Sequence, residues 1–336
     1  MKRLVTMKTI AKELNVSTAT VSKALQDSYE IGNETKQKVW ALAKQLKYEL
    51  NPAGSSLRGQ KTKTIAVIIP EIANNFFSLA IKGIEEIARR LDYHVLIYQT
   101  HENSEIEMAF TDSLLNGRVD GILISISSET SNNEHFRELV KKIPIVFFDR
   151  VYEDIDAVKI TTDDYLSTYN ATKHLIDCGC KKIAYLLALD NLSTGKKRVQ
   201  GYHDALKEHN MLYTSDLIVK YDTDEAVNYN NIKNLILTHK PDGVISSIED
   251  LALPCYYVCK ELNLNIPKDL KIISFSNLNT APLLNPSLTT ITQPAFEIGK
   301  EAASILFKIL HNKHVEPNES MILESELIKR DSTSCN

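Results

Sequence analysis

The sequence predicts an α/β protein with an N-terminal three-helix helix-turn-helix headpiece, followed by two doubly wound parallel-sheet lobes. Three observations predict this fold class. The first 50 residues carry apolar side chains at helical spacing in three short blocks. From residue 64 onward, short apolar runs alternate with amphipathic stretches, as the strands of a parallel sheet alternate with their covering helices. The roughly 270 residues of this part suffice for two cores of ordinary domain size.

The first two helices are predicted within residues 6–25. Thr6 is the predicted N-cap of the first helix, which ends near Asn15. Its apolar side chains recur at helical spacing, at Met7, Ile10, Ala11 and Leu14. The second helix begins at Val16 or Ser17, and its inward-facing residues are Val21, Ala24 and Leu25.

The outward side of the second helix is small and polar, with Thr18, Ala19, Ser22 and Lys23. Short side chains let a helix backbone approach base edges in the major groove. We therefore predict that Thr18, Ala19 and Lys23 read bases. Hydroxyl groups are predicted to hold phosphates, at Thr6, Ser17, Ser22 and Thr35. A three-helix bundle with another role is the alternative, since such bundles serve several ends.

A third helix is predicted from Glu34 to about Leu46. The residues expected to cover the first two helices are Val39, Trp40, Ala43 and Leu46. This cover would complete a small three-helix bundle.

The charge of the chain is divided unevenly. Residues 1–63 hold 12 Lys or Arg against 5 Asp or Glu, and the remainder holds 27 against 38, within a net charge of −4. A solvated basic face is the simplest explanation of such a run. A compact basic piece joined to an acidic one also suits a polyanionic partner, double-stranded DNA, at one end only.

The first lobe is predicted from alternating elements between residues 65 and 148. Strands are predicted at residues 65–70, 94–98, 121–125 and 145–148. Helices are predicted at residues 77–91, 105–116 and 135–142. Runs such as I-A-V-I-I and I-P-I-V-F-F are continuous and apolar, as a sheet covered on both faces requires.

After an acidic, irregular stretch, the alternation resumes as a second lobe. Helices are predicted at residues 165–178, 196–209, 225–238 and 250–262. Strands are predicted at residues 182–188, near Ile218, and at 243–247 and 271–275. Two such lobes facing each other leave a cleft, and open α/β sheets bind ligands at the carboxyl ends of their strands. The cleft is therefore the predicted ligand site.

Several motifs carry a family resemblance over nearly the whole chain. The headpiece contains V-S-T-A-T-V-S-K-A-L at residues 16–25. The lobes contain P-E-I-A-N-N-F-F at 70–77, R-V-D-G-I-L-I at 118–124, P-I-V-F-F-D-R at 144–150, H-L-I-D-C-G-C-K-K-I-A at 174–184, R-V-Q-G-Y at 198–202 and N-P-S-L-T-T-I-T-Q-P at 285–294. In order and spacing, these motifs resemble those of the lactose repressor and galactose repressor (LacI/GalR) family of bacterial transcriptional regulators.

The resemblance implies a domain organisation. In the family, the lobes resemble periplasmic sugar-binding proteins, the chain crosses between them three times, and a C-terminal helix, here residues 296–310, returns to the first lobe. The expected parts are the headpiece at 1–50, a hinge helix and linker at 51–63, a first lobe at 64–161 with 292–322, and a second lobe at 162–291 with 323–336.

The hinge follows the headpiece at Y-E-L-N-P-A-G-S-S-L, residues 48–57. Asn51 can cap a short helix, which Gly54 weakens by roughly 0.5 to 1 kcal/mol relative to Ala. In the family, two such helices order together in the minor groove, where a Leu is wedged between base pairs. The resemblance assigns DNA contacts to Asn51 and Leu57. The match is partial, because Leu50 stands where the family usually has Pro.

Candidate effector residues lie at the ends of the predicted strands: Asn74, Phe77, Asp149, Arg150, Asp163, Arg198, Asp250 and Ser276. An aromatic ring can stack on a sugar face while amides bond its hydroxyls. Arg198 lies where the family meets its ligand, and its guanidinium could hold hydroxyls or instead form a structural salt bridge. Asp163 and Asp250 precede helices, so N-capping is their alternative role. Ser276 stands where the family often carries an aspartate, and this change predicts a different ligand from the commonest one.

Other classes of protein find little support in the sequence. A Gly-rich phosphate loop, a G-x-S-x-G motif, an H-E-x-x-H motif and metal-ligand spacing of the 9 His are all absent, so we expect no catalytic site, metal or cofactor. The 5 Cys are expected to be free, buried thiols. We expect no membrane span and, because the DNA-binding helix begins almost at the N-terminus, no export signal, which predicts a cytoplasmic protein.

The sequence hypothesis is a transcriptional regulator, not an enzyme. It would bind a palindromic operator as a homodimer and respond to a small molecule, a sugar or sugar derivative, in the cleft. Most family members repress, and the effector could act as an inducer or as a corepressor. The alternatives are a solute-binding protein for sugars, which the absent export signal disfavours, and a sugar-modifying enzyme, which lacks an acid–base pair.

Overall fold

The computed structural model describes residues 5–25, 27–46, 48, 61–129, 133–311 and 319–335. The chain divides into two compact units, Met1–Thr62 and Lys63–Asn336. Among the described residues, none of the helices combines the length and apolar character that spanning a bilayer requires.

The first unit contains the three predicted helices, α1 (Met7–Glu13), α2 (Thr18–Leu25) and α3 (Asn33–Gln45). Thr6 begins α1 in a reciprocal capping box with Thr9, which satisfies backbone groups that the helix leaves free. The core of the unit consists of Ile10, Ala11, Val21, Ala24, Leu25, Val39 and Ala43.

One predicted core position of the headpiece is wrong. Trp40 is 50% exposed, whereas Val39 and Ala43 are buried. Residues four apart share one helix face, and Trp40 lies about 100° around the helix from Val39. Helical spacing therefore allowed either neighbour to face inward, and packing selected Val39.

The first sheet of the second unit holds five parallel strands and a sixth that arrives from the end of the chain. Its strands are β1 (Thr64–Ile69), β2 (His94–Gln99), β3 (Gly121–Ile124), β4 (Ile145–Phe148), β5 (Val158–Thr162) and β11 (Met321–Leu323). Their order across the sheet is β11-β5-β4-β3-β1-β2. The covering helices are α4 (Asn75–Arg90), α5 (Ser104–Leu114), α6 (Glu134–Leu139) and α11 (Ala295–Leu310).

The second sheet repeats this arrangement. Its strands are β6 (Ile183–Leu187), β7 (Ile218–Lys220), β8 (Gly243–Ser246), β9 (Lys271–Phe275), β10 (Thr289–Thr292) and β12 (Glu326–Ile328). Their order is β12-β10-β9-β8-β6-β7, with β12 antiparallel to β10. The covering helices are α7 (Asp164–Asp177), α8 (Ser193–Glu208), α9 (Glu225–His239) and α10 (Glu249–Glu261). The predicted fold class, two doubly wound parallel-sheet lobes, is confirmed.

Four strands were not anticipated from the sequence. The stretch described as irregular contains β5, and β10, β11 and β12 were also missed. These strands have three to five residues, and β5 alternates between buried and half-buried positions instead of forming a continuous apolar run. Such segments become strands because a neighbouring strand supplies hydrogen bonds, which local sequence does not encode.

The chain crosses between the sheets three times. Strand β5 is the last of the first sheet before the chain enters the second, β10 precedes the return, and β11 and β12 lie in different sheets. Helix α11 packs beside α4 in the first lobe, where Ile298, Ala302 and Leu306 join its core. The carboxyl ends of both sets of parallel strands are thus brought to the crossing region.

The cysteines differ in part from the expectation. Cys180, Cys255 and Cys259 are free and buried. Cys178 and Cys335 form a disulfide between the end of α7 and the C-terminal tail, so the expectation of free thiols is wrong for this pair. The two residues are 157 positions apart, and their spacing in the sequence gave no sign of the contact.

Candidate functional site

Helix α2 presents an exposed surface in the first unit. Thr18, Ala19 and Lys23 are exposed, and Lys23 forms an ion pair with Glu30. The Ser17 hydroxyl accepts a hydrogen bond from the backbone N–H of Thr20 at 3.0 Å, which caps the start of the helix. This surface keeps the short, polar character that close approach to base edges requires.

Ser22 departs from its predicted position on that surface. The residue is 8% exposed and lies on the same side as the buried Val21 and Leu25. The predicted outward orientation of Ser22 is therefore wrong, because the inward side of α2 is wider than the apolar pattern indicated.

Other predicted DNA contacts lie around the headpiece. Thr6 is exposed at the start of α1, and Thr35 is partly buried in the first turn of α3. Tyr29, which the sequence analysis did not single out, is 94% exposed after α2. In the sequence, the only sign of the exposed Tyr29 side chain is that an aromatic residue lies within a short polar segment. Asn51 and Leu57 lie outside the described residues.

A cleft with two cavities separates the lobes of the second unit at the carboxyl ends of the strands. The larger cavity measures about 560 Å³ and the smaller about 50 Å³. The residues that line both are Asn74, Phe77, Arg150, Leu189, Ile248 and Glu249. The larger volume lies in the range of small-molecule sites, about 300–1,000 Å³.

The first lobe contributes a helix start and an aromatic wall. Asn74 is the N-cap of α4, and its side-chain oxygen accepts from the backbone N–H of Phe76 at 2.9 Å. Phe77 is 2% exposed, and its ring centroid lies 5.4 Å from the Arg150 guanidinium carbon. The arrangement places an apolar face and a charged donor at the same side of the cleft.

The Arg150 guanidinium forms an ion pair through Nη1, while its Nε forms no hydrogen bond to the described residues. Its Nη1 donates to Glu102 Oε1 at 2.6 Å, and the backbone N–H of Ser128 donates to the other Glu102 oxygen at 2.8 Å. The pKa of Glu102 is lowered because the guanidinium and the Ser128 donor outweigh the effect of burial. Arg150 Nε has no hydrogen-bond partner among the described residues, and Asp149 Oδ2 lies 3.8 Å from it.

Asp149 directly follows β4 and has a left-handed backbone conformation, with φ of 59°. Burial raises the pKa of its carboxyl to about 6, against the lowering influence of Arg150 and Arg198. Gln293 Nε2 lies 3.4 Å from Asp149 Oδ1 and donates to the Thr162 hydroxyl at 3.1 Å. Asp149 therefore sits where segments that join the two lobes meet.

Arg198, on α8 of the second lobe, forms the structural salt bridge that was one of its two predicted roles. Its Nε donates to Asp164 Oδ1 at 2.7 Å, and its Nη1 donates to the Ser247 carbonyl at 2.6 Å. The guanidinium carbon lies 3.6 Å from the centroid of the Phe275 ring. Arg198 also lines the smaller cavity, so its two predicted roles are compatible.

Two carboxylates of this network escaped the sequence analysis. The Asp164 side chain is buried against Arg198, and burial raises its pKa. Glu249 is 7% exposed and accepts from the Ser276 hydroxyl at 2.8 Å and the Asn277 backbone N–H at 3.2 Å. It also accepts from Asn75 Nδ2 of the first lobe at 2.9 Å.

The remaining predicted residues occupy different places. Ser276 lines the smaller cavity, and Asp250 lines the larger one. Asp163 lies outside the described linings of both, where its Oδ1 accepts from the Ser167 hydroxyl at 2.9 Å and the Ser325 backbone N–H at 2.8 Å. The residue ties the start of α7 to the segment between β11 and β12. In the described part of the chain, no cluster of three or more metal-binding side chains is present.

Comparison with known proteins agrees with this arrangement. A model of the family described as bacterial regulatory proteins, lacI family, matches residues 6–51. A second, described as periplasmic binding proteins and sugar binding domain of LacI family, matches residues 62–331.

Similar proteins and structures cover nearly the whole chain. The HTH-type transcriptional regulator RegA of Clostridium saccharobutylicum is 30% identical over 97% of this chain and 98% of its own. The HTH-type transcriptional repressor CytR of Escherichia coli is 31% identical over 98% of this chain and 96% of its own. The crystal structure of the lac repressor dimer bound to operator and the anti-inducer ONPF matches over 98% of this chain and 99% of its own, with 21% identity and a TM-score of 0.82.

Proposed function

Because the chain belongs to the LacI family and is a DNA-binding transcriptional regulator with a sugar-binding type of effector domain, we propose the following mechanism. The protein is a repressor that binds a palindromic operator as a homodimer in the cytoplasm. A small carbohydrate-like effector occupies the cleft and changes operator affinity. One observation carries the proposal: the same chain joins a small-residue recognition helix to a cavity of about 560 Å³ that residues of both lobes line.

The DNA contacts proposed come from exposed or partly buried side chains of the headpiece. Thr18, Ala19 and Lys23 read bases, and the hydroxyls of Thr6, Ser17 and Thr35 hold phosphates. Asn51 and Leu57 are assigned to the hinge by the family pattern. A longer residue at Thr18 or Ala19 would hold the backbone of α2 away from the bases.

The effector contacts proposed come from both lobes. They are Asn74, Phe77, Asp149, Arg150, Arg198, Glu249, Asp250 and Ser276. A ligand that contacts both lobes favours the closed arrangement, and a coupling of about 1 to 3 kcal/mol to DNA binding gives a usable switch. An inducer lowers operator affinity and a corepressor raises it, so the sign of the change identifies the mode.

Homodimer formation is supported by an exposed strand edge. Strand β2 is the outer strand of its sheet, and Leu96 and Ile97 are each 41% exposed. Met108 on the following helix α5 is also 41% exposed. An apolar edge strand tends to be covered, and a second copy of the chain would cover it symmetrically.

The first experiment is a selection of bound DNA from the genome that encodes the protein. Recovered fragments should share an inverted repeat, and the affinity should fall steeply with salt. Lys23→Ala should weaken specific binding by about 1–3 kcal/mol, roughly 5- to 150-fold. Lys44→Ala, exposed at the end of α3, is the matched control and should change binding much less. Absence of an enriched repeat, with and without metabolite extract, contradicts the proposal.

The dimer is tested separately by light scattering of the purified protein. Leu96→Glu should shift the mass from dimer toward monomer, because it places a charge in the covered edge. Leu212→Glu, at a position 76% exposed in the second lobe, is the control and should leave the mass unchanged. Equal masses for all three proteins at micromolar concentration would contradict the assigned surface.

A further inference from the structure

The larger cavity of the cleft is lined by more negative than positive side chains. Its described carboxylates are Glu71, Glu102, Glu129, Glu249 and Asp250. Arg150 is its only described Lys or Arg, and His101 is its described imidazole. A cavity with this lining carries a negative potential, which favours cations and repels anions.

Both arginines of the cleft already have a carboxylate partner. Arg150 is paired with Glu102 at 2.6 Å and Arg198 with Asp164 at 2.7 Å. Arg150 lowers the pKa of Asp250, but burial and the neighbouring carboxylates outweigh this effect. The two cations therefore compensate the negative charge of the cavity only in part.

Glu249 is the most informative of these carboxylates, because it is 7% exposed and lines both cavities. The hydrogen-bond donors that contact it come from Asn75, Ser276 and Asn277, and all are neutral. Such donors orient a carboxylate without cancelling its charge. A cationic ligand in the cleft would supply the charge that these partners lack.

Asp250 gives the same indication from the next position. Burial raises its pKa, and the negative charges of Glu249, Glu225 and Glu71 raise it further, against a smaller lowering by Arg150. Ionised Asp250 is thus destabilised by its neighbours when the cavity holds no cation. A positive charge placed between Glu249 and Asp250 relieves this repulsion.

A second feature points to the other end of the ligand. Arg150 is 7% exposed and lines both cavities, yet its Nε–H has no hydrogen-bond acceptor among the described residues. A buried donor without a partner costs free energy, and a ligand oxygen would satisfy it. The neighbouring Phe77 ring offers an apolar face to the body of the same ligand.

We propose that the effector is a hydroxylated amine, such as an amino sugar, with its ammonium group against Glu249 and Asp250 and a hydroxyl oxygen at Arg150. The inference rests on the proposed effector role of the cleft and names the ligand class. Phosphorylated sugars and sugar acids are disfavoured, since they bring a negative charge into a cavity where carboxylates outnumber cations.

The charge preference can be measured without knowing the effector. Ala73 is exposed and lines the larger cavity, so Ala73→Cys places a thiol there. Full-length protein is reacted with two methanethiosulfonates, one carrying trimethylammonium and the other sulfonate. The measured quantity is the ratio of the reaction rate with the cationic reagent to the rate with the anionic reagent. Leu212→Cys is the matched control on an exposed surface, and the wild-type chain gives the background from native thiols.

We expect the cation-to-anion rate ratio at position 73 to exceed that at position 212 by roughly tenfold or more at low salt. Raising the salt should reduce the difference because it screens the carboxylates. Asp250→Asn in the Ala73→Cys background should lower the ratio, while Asp216→Asn, beyond the described cleft lining, should not. A ratio at position 73 equal to or below that at position 212 overturns the proposal.

A matched hexose set then tests the ligand class on the full chain. Glucosamine, glucose, N-acetylglucosamine and glucose 6-phosphate are compared by the rise in Tm at equal concentration. A larger rise with the amine, reduced in Asp250→Asn, supports the proposal, and a larger rise with any other member overturns it. The cysteine rates decide the charge preference even where no hexose fits. Operator binding by the same proteins tests the proposed regulator function separately. If the protein binds operator DNA but its cysteine reacts faster with the sulfonate reagent, only the inference about the effector is overturned.

Discussion

The two lobes bring the same three groups to the cleft: an arginine, a carboxylate and a phenyl ring. These groups are Arg150, Glu102 and Phe77 in the first lobe, and Arg198, Asp164 and Phe275 in the second. Their burial differs, because the Asp164 side chain is 4% exposed and the Glu102 side chain is 33% exposed. The guanidinium-to-ring distance is also shorter in the second lobe, at 3.6 Å against 5.4 Å. The second-lobe arginine is thus fixed in the core, and the first-lobe arginine keeps a donor for a ligand.

The largest expected difference comes from removing one carboxylate charge in each lobe. Asp164→Asn leaves the buried Arg198 cation without a counter-charge and should lower the free energy of unfolding by about 3–5 kcal/mol. Glu102→Gln should cost on the order of 1 kcal/mol, because the Glu102 side chain is 33% exposed to water and Asp149 remains beside Arg150. Urea unfolding of both variants measures the contrast. Equal losses would show that the two arginines are equally fixed.

Asp149 provides a pH-dependent contrast within the first lobe. Its pKa is about 6 in the folded protein against 3.8 as the ordinary value, so the folded state binds this proton more tightly. The free energy of unfolding therefore falls by about 3 kcal/mol as pH rises from below 4 to above 6, since the Asp149 carboxyl ionises less readily in the folded protein than in the unfolded chain. Asp149→Asn removes this loss while tolerating the positive φ.

The measurement is urea unfolding of wild type and Asp149→Asn across that pH range. The stability advantage of the variant should grow as pH rises and become constant above pH 6 to 7. An advantage that is independent of pH would contradict the raised pKa.

Glycine contacts distinguish how each lobe is assembled. A Cβ at Gly83 would lie 2.1 Å from the Phe296 carbonyl oxygen on α11, and one at Gly201 would lie 2.2 Å from that of Tyr165 on α7. Gly83→Ala and Gly201→Ala should each cost about 1–3 kcal/mol through overpacking. Gly32→Ala, with nothing within 4 Å, is the control and should change stability by less than about 1 kcal/mol.

The two glycine variants should differ in where they loosen the protein. Hydrogen exchange should report faster opening at α4 and α11 in Gly83→Ala and at α7 and α8 in Gly201→Ala. Loss of protection in the opposite lobe alone would contradict the assignment of these helix pairs.

The smallest expected effect separates capping from ligand contact. Asn74→Ala and Asn103→Ala each remove a side-chain cap from a first-lobe helix and should each cost about 1 kcal/mol. Only Asn74 lines the cavities, so only its substitution should also weaken effector binding. Calorimetry with an identified effector checks this, and equal affinities for both variants would remove Asn74 from the site.

Prediction from sequence worked best for elements with a strong apolar pattern. Helices α4 and α11 and strands β1 and β4 follow continuous or amphipathic apolar patterns that local physics favours. Strands of three to five residues at or near the sheet edges, such as β11 and β12, carry no comparable pattern. Their existence depends on the neighbouring strand with which they pair.

The candidate site shows the same division. Strand ends identified Phe77, Asp149, Arg150 and Ser276, because a doubly wound sheet exposes those positions in a cleft. Glu249 was missed in favour of the adjacent Asp250, since both begin α10 and only packing determines which of them turns inward.

The sequence by itself determined the fold class, the headpiece and the family, because helical and strand periods and ordered motifs are local properties of the chain. Tertiary structure alone decided the partners of the charged groups. Asn75 and Glu249 are 174 residues apart and hydrogen-bond across the cleft, and Asp164 and Arg198 meet at 2.7 Å from different helices. Burial and charge compensation depend on what surrounds a side chain in space, and no local pattern specifies those surroundings.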